Sequence, residues 1–156
     1  MAQINIAVIG GHKAAKKYLK IAHEVGKLIA QNGWVLVCGG REGIMEAACK
    51  GAKEAGGLTV GIMPSLSGED ANAYVDIKIP TGMGYARNFL VARAAQAVIA
   101  ISGEYGTLSE IAFAFNDHRP VIGVGTWKIK GMHYAKSAHE AVRKVKQCLA
   151  RRKSKN

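Results

Sequence analysis

Ala97-Val98-Ile99-Ala100-Ile101, followed by Ser102-Gly103-Glu104-Tyr105-Gly106-Thr107-Leu108-Ser109-Glu110, reads as a buried strand, a glycine loop and the start of a helix. Glycine allows positive φ and lets a ligand come close to the main chain, here at Gly103 and Gly106. The first turn of the helix that follows offers N–H groups without intrahelical partners and the positive end of a helix dipole. That combination favours an anion, phosphate above all. Thr107 with Glu110 three positions later is also the spacing of a capping box, for a helix expected over 107–116.

Two more turns of the same kind strengthen the ligand reading. Cys38-Gly39-Gly40-Arg41-Glu42-Gly43-Ile44-Met45 follows the apolar run Trp34-Val35-Leu36-Val37, and Gly10-Gly11-His12-Lys13 follows the apolar run that begins at Ile4. Apolar runs of strand length alternate with helical patterns along the whole chain, which predicts one α/β domain built on a parallel sheet. In such a sheet the carboxyl ends of the strands gather on one edge, so the three glycine turns meet where ligands bind.

The elements between these turns are expected as follows. A helix over 13–31 turns Tyr18, Ile21, Ala22, Val25, Leu28 and Ile29 to the core and lysines to solvent. A helix over 43–55 is built from small residues, so a neighbour can approach it closely. Strands are expected at 58–62, 74–79 and 121–124, with a polar loop over 65–73 and a last helix over 134–150. Thr81-Gly82-Met83-Gly84-Tyr85 introduces a helix that places Arg87 with Leu90, Val91 and Ala94 on its inner face. A buried guanidinium must meet an anion, carbonyls or a carboxylate, so Arg87 either contacts ligand or pairs with Glu110 or Glu104. Trp127, just past a strand end, either stacks on a flat ring or packs beside a lid.

Composition bounds the remaining classes. At 156 residues with 49% hydrophobic content, the chain can fill one core. No apolar stretch reaches the length of a membrane span, and the amino end enters a strand without a charged region and cleavage site, which points to a cytoplasmic protein. Cys38, Cys49 and Cys148 show neither paired nor metal-ligand spacing and are read as reduced thiols. Of the scattered histidines only His12 falls in a ligand loop, and no protein-held metal is expected. The net charge of +11 is concentrated at one end, where seven basic residues and no acidic one lie between Arg143 and Asn156. Residues 1–150 are taken as the domain and 151–156 as a basic tail. A nucleic-acid arm is the alternative reading of that tail, although it lacks aromatic residues to stack on bases.

Gly39-Gly40 with Gly43-Ile44-Met45, the pair Arg87-Asn88, and Gly106-Thr107-Leu108-Ser109-Glu110 together resemble the LOG-like (SLOG) branch of the Rossmann superfamily, often labelled lysine-decarboxylase-like. The likeness spans about Ile4 to Trp127 and is greatest to small members such as the molybdenum-cofactor carrier proteins, with DNA-processing proteins as related folds. It implies a single-domain Rossmann-like parallel sheet with helices on both faces. It also implies a bound ligand with a phosphate and a flat heterocycle, either a nucleotide or the molybdenum cofactor. Cytokinin-activating phosphoribohydrolases of the superfamily carry Pro-Gly-Gly-x-Gly-Thr-x-x-Glu and an arginine one helix earlier, to which Glu110 and Arg87 correspond. Here Ser102-Gly103-Glu104 replaces Pro-Gly-Gly, and Asn88 stands where those enzymes have lysine.

The leading expectation is therefore a binding protein in which Gly39, Gly40, Gly43, Gly103, Gly106 and Thr107 donate hydrogen bonds and Arg87 pairs with the phosphate or a ring. Gly10, Gly11, Met45, Asn88 and Glu110 complete the expected site, and Glu104 should point out of the phosphate cradle. No cofactor is required beyond such a ligand. The alternative is a phosphoribohydrolase that cleaves the N-glycosidic bond of a nucleoside 5′-monophosphate with Arg87 and Glu110 as catalytic residues. A lysine decarboxylase is not expected, because the ligand loops offer only Lys13 and no partner set for pyridoxal phosphate. The resemblance also implies a homodimer or higher homo-oligomer.

Overall fold

Alternation of side chains between two cores organises the molecule around its first strand. The computed structural model describes residues 2–156, beginning with β1 (Asn5–Gly10), whose central residues Ile6 to Ile9 are fully buried. Ile6 and Val8 point into one core and Ala7 and Ile9 into another, so this strand is covered on both faces. It is followed by α1 (Lys16–Gln31), β2 (Val35–Cys38), α2 (Ile44–Glu54), β3 (Thr59–Met63), β4 (Ile77–Pro80), a single 3-10 turn (Gly84–Arg87) and α3 (Asn88–Arg93). Then come β5 (Ala97–Ile101), α4 (Tyr105–Asn116), β6 (Val121–Val124), β7 (His133–Tyr134) and α5 (Ala138–Lys153).

All seven strands are parallel, in the order β4-β3-β2-β1-β5-β6-β7. The chain winds outward from β1 in one direction through β2 and then restarts on its other side with β5. That reversal leaves a crevice at the carboxyl ends of β1, β2 and β5. Helices α1, α2 and α5 cover the face that carries Ile6, Leu36 and Ile99, while α3 and α4 cover the face that carries Ile9, Val37 and Val98. The expected Rossmann-like parallel sheet with helices on both faces is the observed architecture. Among the described residues, no helix is long and apolar enough to cross a membrane.

The small residues of α2 serve its contact with α1. A Cβ at Gly51 would collide with the carbonyl of His23, and one at Gly26 with the carbonyl of Ala48. Glycine to alanine in a helix interior ordinarily stabilises by about 1 kcal/mol. Gly51→Ala is expected to do the reverse, because neither backbone can yield without separating the helices. A loss of roughly 2 kcal/mol, or about 4–8 °C in Tm, should appear in thermal unfolding, and an unchanged Tm would show that the helices are free to separate.

Several element boundaries differ from expectation for local reasons. Helix α1 starts at Lys16, three residues later than expected. The strand expected over 74–79 begins only at Ile77. Ahead of it, Asn72 ties the chain to the β2 loop by donating to the carbonyls of Gly40 and Arg41, and Thr59 meets the chain through its side chain, donating to the Tyr74 carbonyl. Residues 133–134 form the short β7, and α5 begins at Ala138 behind Ser137, whose hydroxyl accepts from the Glu140 amide at 3.2 Å. That helix continues through Arg151 and Arg152 to Lys153.

Helix α4 starts at Tyr105, two residues before the expected Thr107, with Glu104 as the N-cap and no side-chain cap. The Thr107–Glu110 capping box is therefore not formed. Both residues lie inside the helix and are buried, Thr107 under Gly103 and Glu110 on the inner face.

Candidate functional site

Four loops enclose a cavity of about 700 Å³ at the carboxyl edge of the sheet. Gly10, Gly11 and His12 come from the end of β1, and Arg41 and Met45 from the β2–α2 turn. Tyr85, Arg87 and Asn88 come from the 3-10 turn and the start of α3, and Glu104, Tyr105, Gly106, Thr107 and Ser109 from the start of α4. Each loop follows a strand that ends on this edge or enters a helix that begins there, which is how residues far apart in sequence reach one wall.

Glycines shape this wall by different means. Gly10 is wedged between strands, since a Cβ there would stand 2.5 Å from the Ile101 carbonyl. Gly43 has φ +71 and a Cβ would sit 2.5 Å from the Gly11 carbonyl, the same carbonyl that accepts from the Ile44 amide at 3.1 Å. The first and second turns are thus locked together at the head of α2. Gly103 adopts φ +105 and Ser102 φ +50, and a Cβ at Gly103 would overlap the Thr107 side chain. Gly106 does not need positive φ, contrary to expectation, and a Cβ there would find an ordinary contact at 3.7 Å from Asn88.

At the head of α4, the amides of Tyr105, Gly106 and Thr107 belong to a helical first turn with no side-chain cap and no acidic residue. These residues are also in the cavity wall. Uncapped first-turn N–H groups facing a cavity are donors for an oxyanion. Positive charge is supplied by Arg41 at the rim, 3.8 Å from Asp70, and by Arg87 deeper in.

Arg87 is 8% exposed, with its guanidinium packed on Gly39: a Cβ at that position would stand 2.7 Å from Nη1 and 2.9 Å from Nη2. Nη1 donates to the Asn88 side-chain oxygen, whereas Nε is buried without a partner. Asn88 in turn donates to Ser109 Oγ at 3.2 Å, and Ser109 donates to the Gly106 carbonyl at 2.6 Å. Among the described residues Arg87 makes no ion pair, so the pairing with Glu110 or Glu104 weighed from sequence is not made. Burial draws its pKa down, opposed by the nearby Glu110 and Cys38. A buried, incompletely paired guanidinium on a cavity wall is a strong anchor for an anion.

Glu110 lies behind that wall and does not line it. It is 6% exposed, and burial pushes its carboxyl up to about 8, with Arg87 opposing and Cys38 adding to the rise. Burial thus favours the uncharged acid over the carboxylate at this position. Cys38 accepts from the Gly40 amide at 3.2 Å and lies 3.5 Å from Cys49. Its thiol is held below the usual range mainly by that contact with Cys49, while Cys49 is raised by the same contact and by burial.

Of the residues expected from sequence, Gly10, Gly11, Met45, Arg87, Asn88, Gly106 and Thr107 line the cavity. Gly39, Gly43 and Gly103 stand one layer behind and pack on Arg87, Gly11 and Thr107 in front, while Gly40, which packs on Met63, and the buried Glu110 also lie outside the lining. Glu104 is an exposed residue of the wall. Arg41, Tyr85, Tyr105 and Ser109 were not singled out, although each sits beside a glycine turn that was. Trp127 stays outside the wall: its indole N–H donates to the Glu104 carbonyl at 3.0 Å and its ring packs on Tyr105 at 5.9 Å.

Comparison with known proteins identifies the family and the fold. The model of the SLOG cluster4 family matches residues 3–154. A protein of Archaeoglobus fulgidus is 41% identical over 143 residues, covering 91% of this chain and 94% of the relative. The cytokinin riboside 5′-monophosphate phosphoribohydrolase of Mycobacterium tuberculosis is 34% identical over 118 residues, or 70% of this chain and 63% of the enzyme. The structure of the molybdenum cofactor binding protein from the phototrophic bacterium Rippkaea orientalis superposes with a TM-score of 0.91 at 37% identity, covering 96% of this chain and 99% of that one.

Proposed function

The chain belongs to the SLOG cluster4 family, and from that premise we propose that it is a binding protein for a phosphorylated heterocyclic ligand, a nucleotide or the molybdenum cofactor. One observation carries the reading. The cavity wall joins uncapped helix N–H groups, glycine backbone and two arginines, a donor set for phosphate, whereas the acid that would do chemistry, Glu110, is buried and does not line the wall. The likeness to the Rippkaea orientalis protein supports a cofactor as cargo. Arg87, Thr107 and the α4 amides hold the phosphate, with Gly10, Gly11 and Arg41 completing the lining. A homodimer is part of the same proposal, with Leu58, Ile77 and Ile79, all substantially exposed, as apolar surface for it.

Ligand at a hundred times its Kd stabilises the folded state by about 2.7 kcal/mol. In a thermal-shift series with nucleoside monophosphates, pterin monophosphates and isolated molybdopterin, at least one member should raise Tm by roughly 5–10 °C. A flat response across the series overturns the proposal.

The hydrolase reading has its own support in the Mycobacterium tuberculosis relative and in the Arg87–Glu110 neighbourhood. It requires an ionised Glu110 against an oxocarbenium-like sugar, and burial behind the wall works against both the charge and the contact. Release of free base from AMP, abolished by Glu110→Gln, would reinstate it.

A further inference from the structure

Two of the most exposed aromatic side chains in the molecule stand on one cavity wall. Tyr85, in the 3-10 turn before α3, is 88% exposed, and Tyr105, the first residue of α4, is 80% exposed. A soluble fold has no packing reason to leave two tyrosine rings wet beside the same opening, and aromatic residues presented this way mark recognition surfaces.

Tyr105 is braced where Tyr85 is not. Its ring leans on Trp127 with centroids 5.9 Å apart and planes 35° from parallel. Trp127 is fastened by its N–H to the Glu104 carbonyl at 3.0 Å, and Tyr134 holds the same loop by accepting from the Ile129 amide at 2.7 Å. A ring fixed from behind loses little freedom when something flat covers its free face, so its contact area converts efficiently into affinity.

Position sets what that flat group is attached to. The backbone amides of Tyr105, Gly106 and Thr107 are the phosphate donors of the reading above, and the Tyr105 side chain grows from the same turn. Phosphate and ring are therefore held within one tyrosine length of each other.

We propose that Tyr105, backed by Trp127 and accompanied in the cavity lining by Tyr85, is the ring-stacking surface of the site, and that the ligand is a compact monophosphate whose planar heterocycle lies one sugar-sized unit from its phosphate. This rests on the phosphorylated-heterocycle reading and adds to it the element that selects the ring. Stacking of a base on an aromatic side chain is sequence-tolerant and survives replacement of tyrosine by phenylalanine.

The test uses the whole chain with three probes: GMP, neopterin monophosphate and ribose 5-phosphate, which shares the phosphate but has no ring. Calorimetry gives affinities, and Trp127 emission reports stacking on its neighbour. Tyr105→Ala should weaken a ring-bearing probe by about tenfold or more, leave ribose 5-phosphate within about a factor of two, and abolish the ligand-induced emission change. Tyr105→Phe should retain both affinity and emission change. The exposed position of Tyr105 means these variants keep the fold, which circular dichroism checks. If no probe binds the unaltered chain, the phosphorylated-ligand reading fails and this inference fails with it. If a ring-bearing probe binds but is no tighter than ribose 5-phosphate, or binds Tyr105→Ala equally well, the stacking surface is refuted while the phosphate site stands.

Discussion

Gly39→Ala is expected to lower affinity for a phosphorylated ligand by about 10- to 100-fold while leaving the fold nearly intact. The backbone at residue 39 is not in the left-handed region, so alanine fits the main chain. Its methyl group, however, would occupy the space of the Arg87 guanidinium, 2.7 Å from Nη1. That group is the end of a flexible side chain and will move, which keeps the cost in stability small. Movement breaks its bond to Asn88 and withdraws the deepest cationic donor from the cavity, and hydrogen bonds to charged groups contribute about 1.5–3 kcal/mol each. Calorimetry with a binding ligand would read the loss beside a Tm shift of only a few degrees. Affinity within a factor of about two of the unaltered chain would remove Arg87 from the site. Gly40→Ala serves as contrast, because φ +77 and contact with Met63 make that change costly to the fold itself.

Glu110→Gln should change the pH dependence of stability more than any other single substitution. Burial raises the folded-state value to about 8 from 4.5 in the open chain. Between those values the folded protein keeps a proton that the unfolded chain releases, so the contribution of Glu110 to stability is full below pH 4.5 and declines as pH rises towards 8. Glutamine cannot ionise and removes that slope. The two proteins should be similar in stability near pH 5 and diverge towards alkaline pH, with the glutamine variant ahead by on the order of 3 kcal/mol near pH 8. Chemical denaturation across that range measures the gap. Parallel profiles would mean that Glu110 is already ionised in the folded protein and available for chemistry.

Much of the architecture could be read from the chain because it depends on local pattern. Apolar runs such as residues 97–101, alternating with helical stretches, suffice for a parallel sheet, and glycine pairs after those runs mark the ligand edge. What escaped was set by contacts distant in sequence. The two-residue β7 exists because residues 133–134 lie beside β6. Thr107 has the composition of a cap, yet the helix starts earlier and buries it beneath Gly103. Within the site, Arg87 was legible as a charge among apolar neighbours. The division into wall and backing layer was not, since Gly39 and Arg87 meet only after α3 has packed across the sheet. Tyr85 and Tyr105 look like ordinary loop residues until both are found at one opening.

The position of β1 between β2 and β5 bears on how the protein is made. Synthesis supplies β2 soon after β1, but the strand for the other side of β1 is residues 97–101. Until then the central strand keeps an unpaired apolar edge, and pairings of such long sequence separation are slow to form. The cavity wall runs from Gly10 to Ser109, so roughly two-thirds of the chain must be present before a ligand has anywhere to sit. A ligand of this cavity therefore cannot template the early steps of folding. A truncated chain ending before residue 97 leaves that edge of β1 open and should be found in the aggregated fraction.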